Sequence, residues 1–328
     1  GVEGVELILK ESIRINQDHQ DNSPTIAFID STVQEKNITY PTDAKLHKKI
    51  IKKCQVIAQK EKIDVRQTYT RTIKALSRDQ RFRNHPKNRK KALKADRKIR
   101  TIAGRLVREL ERNLGVESPH QDQLSIFTKV LKQRRNDKNK IYSLHETDVE
   151  CISKGKEHKK YEFGNKVSII RSIEGVIIGA LSFRNEHDVR TLDPALEQVS
   201  RLTSRRIKIL AADRGYRGQK RHGEIMIEIP SVPKANDSRY ERNKKKKLFC
   251  KRAGIEPTIG HLKSDHRLGC NFYKGLQGDA INVMLAAAAY NFKRAMRALW
   301  LLIENVFLEL IKTADEKIEN SYRLEFGF

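Results

Sequence analysis

The stretch TIAFIDST, residues 25–32, predicts a short buried strand over 25–30, because β-prone apolar residues lead directly into Asp30. A second stretch, RRIKILAADRGY (205–216), has the same design: the predicted strand 205–213 ends in Asp213, and Gly215 opens a turn. If these strands are neighbours in one sheet, both carboxylates lie at the same edge, where open α/β sheets usually bind ligands. Each aspartate alone is a weak signal, since such residues often only cap the next turn.

A third acid, Glu256, lies in the basic stretch KKKKLFCKRAGIEPTIGHLK, residues 244–263. In one continuous helix, Arg252 and Lys263 would lie on the same face as Glu256, because offsets of four and seven residues return to nearly the same azimuth. Pro257 leaves a second interpretation open, in which a new helix begins here and Arg252 leaves that face. A solvated surface helix with ordinary salt bridges is the alternative for the whole segment.

The three acids make chemical sense as one metal site. Mg²⁺ binds carboxylate oxygens and keeps several waters, and two such ions can activate an attacking oxygen and stabilise a leaving one in phosphoryl displacement. We therefore predict Asp30, Asp213 and Glu256 as catalytic ligands of Mg²⁺, with Mn²⁺ as a substitute. Their carboxylates are expected within roughly 4 to 7 Å of one another.

The net charge points to a polyanion as partner. The 328 residues include 67 Lys and Arg against 41 Asp and Glu, a formal net charge of +26, and each phosphate neutralised by such a surface releases condensed counterions. No apolar run reaches the ~18 residues of a membrane-spanning helix, so no membrane partner is expected. The four cysteines are far apart in the sequence and form no C-x-x-C pair, which is typical of a reducing cytoplasm.

Helical periodicity dominates residues 44–136, and this block is strongly basic. Between residues 81 and 110 it contains twelve Lys and Arg against Asp96 and Glu109. That much charge of one sign repels itself unless something acidic lies on it, so we predict a DNA-facing helical insertion. A solvated helical face is the alternative.

The remainder of the chain alternates strands with helices. Residues 160–183 predict a hairpin around SIEG, residues 192–203 a helix capped by Asp193, and residues 223–230 a strand. A strong helix follows with Asp279 as its N-cap, and ALWLLIENVFLELI (298–311) predicts an amphipathic packing helix. This order predicts an α/β layer with a mixed sheet.

Two of these motifs resemble those of a known family. FIDST, with Asp30, and DRGY, with Asp213, are similar to the first two acidic motifs of DDE transposases of bacterial insertion sequences, especially the insertion-sequence-five-like group. ITYPTDAKL, KGKEHKKYEFG and IEPTIGHLKSDHRLG also resemble this group. The resemblance extends from about residue 24 to about residue 297.

The third motif of that family is Tyr-x2-Arg-x3-Glu-x6-Lys. Arg252, Glu256 and Lys263 match its spacing, and Phe249 stands where the family has tyrosine. This departure removes a hydroxyl but not the acid.

The resemblance implies a ribonuclease H-like core with a mixed β-sheet flanked by helices, plus a helical insertion after the first strand. It implies a catalytic domain over 25–43 and 137–297, an insertion over 44–136, a C-terminal helix over 298–328, and residues 1–24 as the tail of a missing N-terminal region. The expected activity is Mg²⁺-dependent cleavage at element ends and strand transfer into target DNA, by an enzyme that is a truncated form of the family's full-length protein.

The expected partners are double-stranded DNA, as element ends and target, and a second copy of the chain in the full-length form. The expected location is the bacterial cytoplasm, associated with the nucleoid. Predicted DNA contacts are the basic residues near the second and third acids: Arg214, Arg217, Lys244, Lys251, Arg252 and Lys263. Two alternatives stay open, an inactive remnant that only binds DNA and, in third place, an RNA-binding protein.

Overall fold

The computed structural model describes residues 1–16, 25–115, 117–134, 136–153, 159–218, 220–231 and 237–326, with side chains up to residue 315. The described chain forms two compact units. Unit 1 combines residues 1–35 with 165–328, and unit 2 covers residues 36–164.

Helices and strands alternate along the chain, with a helical stretch between the first two strands. Their order is α1 (Val2–Asn16), β1 (Thr25–Glu35), α2 (Asp43–Lys60), α3 (Thr70–Asp79), α4 (Pro86–Asn113), α5 (Gln121–Lys132), β2 (Glu150–Ser153), β3 (Tyr161–Ser172), β4 (Ile177–Phe183), α6 (Leu192–Leu202), β5 (Ile207–Ala211), β6 (Arg221–His222), β7 (Ile225–Glu228), α7 (Arg239–Arg252), α8 (Ile255–Asp265) and α9 (Gly275–Phe326). Short 3₁₀ turns cover Asp188–Thr191 and Arg214–Tyr216.

A mixed sheet forms the centre of unit 1, with strand order β3-β1-β5-β7-β6 and β4 on the other side of β3. Strand β5 is parallel to both β1 and β7, whereas β3 with β4 and β6 with β7 are antiparallel. The central strand β1 is buried on both faces, with Ala27, Phe28 and Ile29 fully inaccessible to solvent. The described structure thus confirms the α/β class, the hairpin of β3 and β4, and the mixed sheet.

Buried amides connect the long helix α9 to this sheet. Asn282 donates to the Gln34 side chain (2.7 Å), and Gln34 donates to Asn165 (3.2 Å). Asn291 donates to the carbonyl of Ile177 (2.8 Å) and accepts from the backbone N–H of the same residue (2.9 Å). Because buried amides without partners are costly, these pairs fix the register of α9 along the sheet.

Unit 2 is mainly helical. Helices α2, α4 and α5 enclose one apolar core whose fully buried members include Ile50, Ile99 and Phe127. Helix α4 begins at Pro86, the favoured first-turn position for proline, and the side chain of His85 accepts from the Lys87 N–H. Strand β2 pairs with residues 161–164, the first part of β3. Unit 2 therefore covers more residues than the predicted insertion 44–136. Unit 1 includes α1, which belongs to the predicted N-terminal tail 1–24. Residues 17–24 of that tail lie outside the described residues.

Three predicted boundaries are wrong. Strand β1 does not end at Asp30 but runs to Glu35. Asp193 is the second residue of α6 rather than its cap, and its carboxylate contacts His222 (2.7 Å). Asp279 lies inside α9, buried, where it accepts from Asn271 (2.8 Å) and pairs with Arg184. Both aspartates have partners distant in sequence, and these contacts override the local preference for a cap.

Residues 298–311, predicted as an amphipathic packing helix, are helical, but the described structure shows no packing for them. They continue α9, but every residue from Met296 to Asp315 is exposed. Among the helices of the described residues, none is long and apolar enough to cross a membrane.

Candidate metal and DNA site

The pairing of β1 with β5 places Asp30 and Asp213 side by side. In this parallel pair Phe28 is opposite Ala211. Asp30 comes two residues after Phe28 and is still within β1, whereas Asp213 comes two residues after Ala211 and lies just beyond β5. Continuing the register therefore sets Asp213 next to Asp30. This confirms the prediction that the strands leading into Asp30 and Asp213 are neighbours in one sheet, although β1 continues past Asp30 and Asp213 lies just after the end of β5.

Local hydrogen bonds orient both carboxylates. Asp30 Oδ1 accepts from the N–H of Ser31 (2.8 Å). Asp213 Oδ1 accepts from the N–H of Gly215 (2.8 Å) and so caps the 3₁₀ turn Arg214–Tyr216. Each carboxylate is half-buried, so part of its surface is accessible to a ligand.

Gly215 lies between two carboxylates. A Cβ at this position would lie 3.0 Å from Asp213 Oδ1 and 3.1 Å from Asp188 Oδ2. Asp188 in turn forms an ion pair with Lys166 of β3 (3.1 Å). No local sequence pattern marks Asp188, because it follows the hairpin in a short 3₁₀ turn without periodicity.

Arg252, a predicted DNA contact, lies beside the carboxylate of Asp30. Its Nη2 is 3.6 Å from Asp30 Oδ1, and both side chains are largely buried. Its Nε is buried without a hydrogen-bond partner among the described residues. The guanidinium therefore lies close enough to Asp30 to offset the charge of that carboxylate.

The structure shows the second of the two interpretations for the stretch around Glu256. Helix α7 ends at Arg252, and α8 begins at Ile255, so Pro257 lies in its first turn. Ile255 and Leu262 are fully buried, and α8 packs against β1. Glu256 is exposed in that first turn, where the helix dipole favours an acid.

The expected convergence of all three acids is not seen. Among the residues that the structure describes, no group of three or more His, Cys, Asp or Glu side chains is arranged to hold a metal ion. The donors at the β1–β5 edge are nevertheless carboxylate oxygens, which is the donor type that suits Mg²⁺. Asp30 and Asp213 thus fit the ion, while the role of Glu256 stays a prediction.

Tyr216 is the last residue of the 3₁₀ turn that follows Asp213. It is fully buried, and its hydroxyl lies 3.4 Å from that of Ser168. Burial raises the pKa of the phenol far above its ordinary value, and the negative charges of Asp188, Asp30 and Asp213 raise that pKa further. The phenol therefore stays protonated at any working pH, which suits a structural role and not that of a nucleophile.

Tyr216→Phe tests this assignment. The substitution removes one weak hydrogen bond, so we expect unfolding free energy to fall by only about 1 kcal/mol. DNA cleavage should stay within a few-fold of the unsubstituted chain. Thermal unfolding and a cleavage assay measure the two effects, and a complete loss of cleavage in a folded protein would assign the hydroxyl to the chemistry.

The other predicted DNA contacts differ in exposure. Arg214, Arg217, Lys244 and Lys251 are exposed, and Lys263 is half-buried on α8. Phe249, at the position of the family's tyrosine, packs against the core of unit 1. Contact with DNA stays a prediction for all of them.

Residues 141–292 match the family model described as Transposase DDE domain. This match supports a DDE transposase. The matched range contains Asp213 and Glu256, whereas Asp30 lies before it. No curated protein and no solved structure matches the chain.

Proposed function

We propose that this chain is a DNA transposase of the insertion-sequence-five-like group with a ribonuclease H-like core. It cleaves strands at the element ends and joins the resulting 3′-hydroxyls to target DNA. The observation that carries the proposal is the β1–β5 register, which sets Asp30 beside Asp213 in a chain whose residues 141–292 match a transposase domain. A mixed sheet with these acids on adjacent parallel strands supports the proposed core.

In this proposal Asp30, Asp213 and Glu256 hold Mg²⁺. When bound, the ion supplies Lewis-acid stabilisation of the charge that develops on the oxygens around phosphorus. The hydrogen bonds from Ser31 and Gly215 orient the two aspartates. Arg252 lies 3.6 Å from Asp30, so its positive charge would help to hold a phosphodiester bound beside that carboxylate.

Each of the two units carries its own exposed basic residues, which we propose as separate DNA contacts. All twelve Lys and Arg between residues 81 and 110 are exposed, on α4 and the turn before it. In unit 1, α7 adds the exposed Lys244 and Lys251. Charge of this density binds a duplex mainly by counterion release, which also supports an association with the nucleoid.

Salt dependence tests individual DNA contacts. Lys251→Ala and Lys263→Ala should each weaken binding to duplex DNA and flatten the plot of log K against log salt by about 0.9, the value for one phosphate contact. Lys10→Ala, an exposed lysine of α1, is the matched control and should leave the slope unchanged. Fluorescence anisotropy with a labelled duplex gives the slopes, and unchanged slopes for both variants would remove these residues from the DNA surface.

Metal-dependent cleavage separates the proposed enzyme from a DNA-binding remnant or an RNA-binding protein. The substrate is a labelled duplex carrying the DNA that flanks the coding sequence. We expect 3′-hydroxyl products in Mg²⁺ or Mn²⁺ and none in EDTA. A folded chain that binds this duplex and leaves it intact in both metals would favour the remnant.

A further inference from the structure

Two arginines of unit 1 converge on the turn between β3 and β4. Gly175 closes this turn with φ at +99°, a backbone conformation that favours glycine. A Cβ at Gly175 would lie 2.9 Å from Arg294 Nη1 and 3.0 Å from Arg171 Nη2. Both guanidiniums therefore reach the space that the absent side chain leaves open, and two positive charges lie side by side there.

Two different elements supply these side chains. Arg171 is near the end of β3 and half-buried, whereas Arg294 is on α9 and exposed. Arg171 also reaches the junction of α7 and α8, where its Nη1 would lie 3.2 Å from a Cβ at Gly254. Gly254 comes two residues after Arg252, which lies beside Asp30. The arginine pair therefore borders the chain segment that carries Arg252.

Among the residues that the structure describes, no carboxylate forms an ion pair with Arg171 or Arg294. Glu174, the acid of the turn itself, accepts from Arg205 (3.4 Å) and from the hydroxyl of Thr25 (3.5 Å). Arg171 Nε is buried without a hydrogen-bond partner among the described residues, which is costly for a charged group. Two uncompensated guanidiniums also repel each other, and an anion bound to both would relieve this repulsion.

Phosphate is the anion that suits two guanidiniums best. Each guanidinium presents its N–H donors in a planar fork that matches two oxygens of a phosphate. One arginine can satisfy both oxygens of a carboxylate, whereas a tetrahedral phosphate has further oxygens for a second arginine. We propose that Arg171 and Arg294 together bind one phosphate group at the β3–β4 turn.

Two sources can supply this phosphate: the backbone of duplex DNA, or a free phosphate such as the terminal group of a nucleotide. The assignment to DNA rests on the proposed function, while the phosphate site itself rests on the geometry around Gly175.

The salt dependence of duplex binding tests the DNA source. We expect Arg171→Gln with Arg294→Gln to flatten the plot of log K against log salt by about 0.9, the value for one phosphate. Arg14→Gln with Arg201→Gln is the matched control, because it removes the same charge from arginines that already pair with glutamates of α1 (2.7 and 3.0 Å). The control should leave the slope unchanged.

Thermal unfolding tests the free phosphate and separates a binding site from a structural role. Inorganic phosphate should raise the Tm of the unsubstituted chain by about 2–4 °C over chloride of equal ionic strength, and should not raise that of the double variant. In dilute chloride, Arg294→Gln should itself raise the Tm, because it removes the repulsion between the guanidiniums; a structural role requires a lower Tm. Arg294 is exposed, so this single variant leaves the core intact even if Arg171→Gln fails to fold.

The outcomes separate the two sources and the two proposals. A flatter slope for the double variant assigns the site to DNA, and a phosphate-specific rise in Tm with an unchanged slope assigns it to a free phosphate. An unchanged slope together with equal Tm in phosphate and chloride would overturn the proposal. Neither measurement involves cleavage, so a chain that cannot cleave DNA would lose the proposed activity and keep the phosphate site, whereas a cleaving chain with neither effect would do the reverse.

Discussion

Asp213→Asn is expected to abolish metal-dependent DNA cleavage while duplex binding stays within a few-fold. Asparagine keeps the size of the side chain, and its carbonyl oxygen can still accept from the Gly215 N–H that Asp213 now binds at 2.8 Å. The turn is therefore retained, and only the negative charge that attracts the cation is lost. Since a metal supplies several kcal/mol of charge stabilisation, the rate should fall by about 10³-fold.

Two control measurements on the same preparation of Asp213→Asn are needed to interpret a loss of cleavage. Thermal unfolding must show that Asp213→Asn is folded, and fluorescence anisotropy must show that it binds the duplex. If cleavage in Mg²⁺ then remained close to that of the unsubstituted chain, Asp213 would not be a metal ligand.

Gly215→Ala is expected to have the second largest effect. The added Cβ would lie 3.0 Å from Asp213 Oδ1 and 3.1 Å from Asp188 Oδ2, so the short aspartate side chains must move. Displacing a reacting group by a fraction of an ångström to one ångström costs up to about 10²-fold in rate. A drop of ~10- to 100-fold in the cleavage rate is predicted, with DNA affinity unchanged.

The control for this substitution is Gly4→Ala. Gly4 lies in α1, where an added Cβ would meet no atom within 4 Å, so cleavage should be unchanged and the helix slightly stabilised. If both variants cleaved like the unsubstituted chain, the close approach of Asp188 and Asp213 around Gly215 would have no functional meaning.

The strands near the site could be predicted from the sequence, because each is a stretch of apolar, β-prone residues that leads into an aspartate. TIAFID and RRIKILAAD are apolar enough to require central positions in a sheet, and two such strands in an α/β chain become parallel neighbours. What a local pattern could not predict is where β1 ends. It continues to Glu35, whose carbonyl accepts from the N–H of Asn271, a residue far away in the sequence.

The positions of Asp188 and Arg252 in the site likewise depend on contacts between residues far apart in the sequence. Asp188 reaches Gly215 and Lys166 only because the 3₁₀ turn after the hairpin folds against the Asp213 turn. The sequence predicts Arg252 as a DNA contact but gives no sign that it also lies beside Asp30, at the end of α7 just before the break that precedes α8. The exposure of residues 298–311 could not be predicted either, since an apolar helix has the same sequence pattern whether or not its own chain covers it.

We propose that Asp30 and Asp213 hold one metal ion at the β1–β5 edge. Electron paramagnetic resonance of Mn²⁺ titrated into the full chain tests it directly, because the signal of the free ion falls as the protein binds it. We expect clear Mn²⁺ binding by the unsubstituted chain and at least tenfold weaker binding by both Asp30→Asn and Asp213→Asn. Equal Mn²⁺ binding by all three proteins would contradict it.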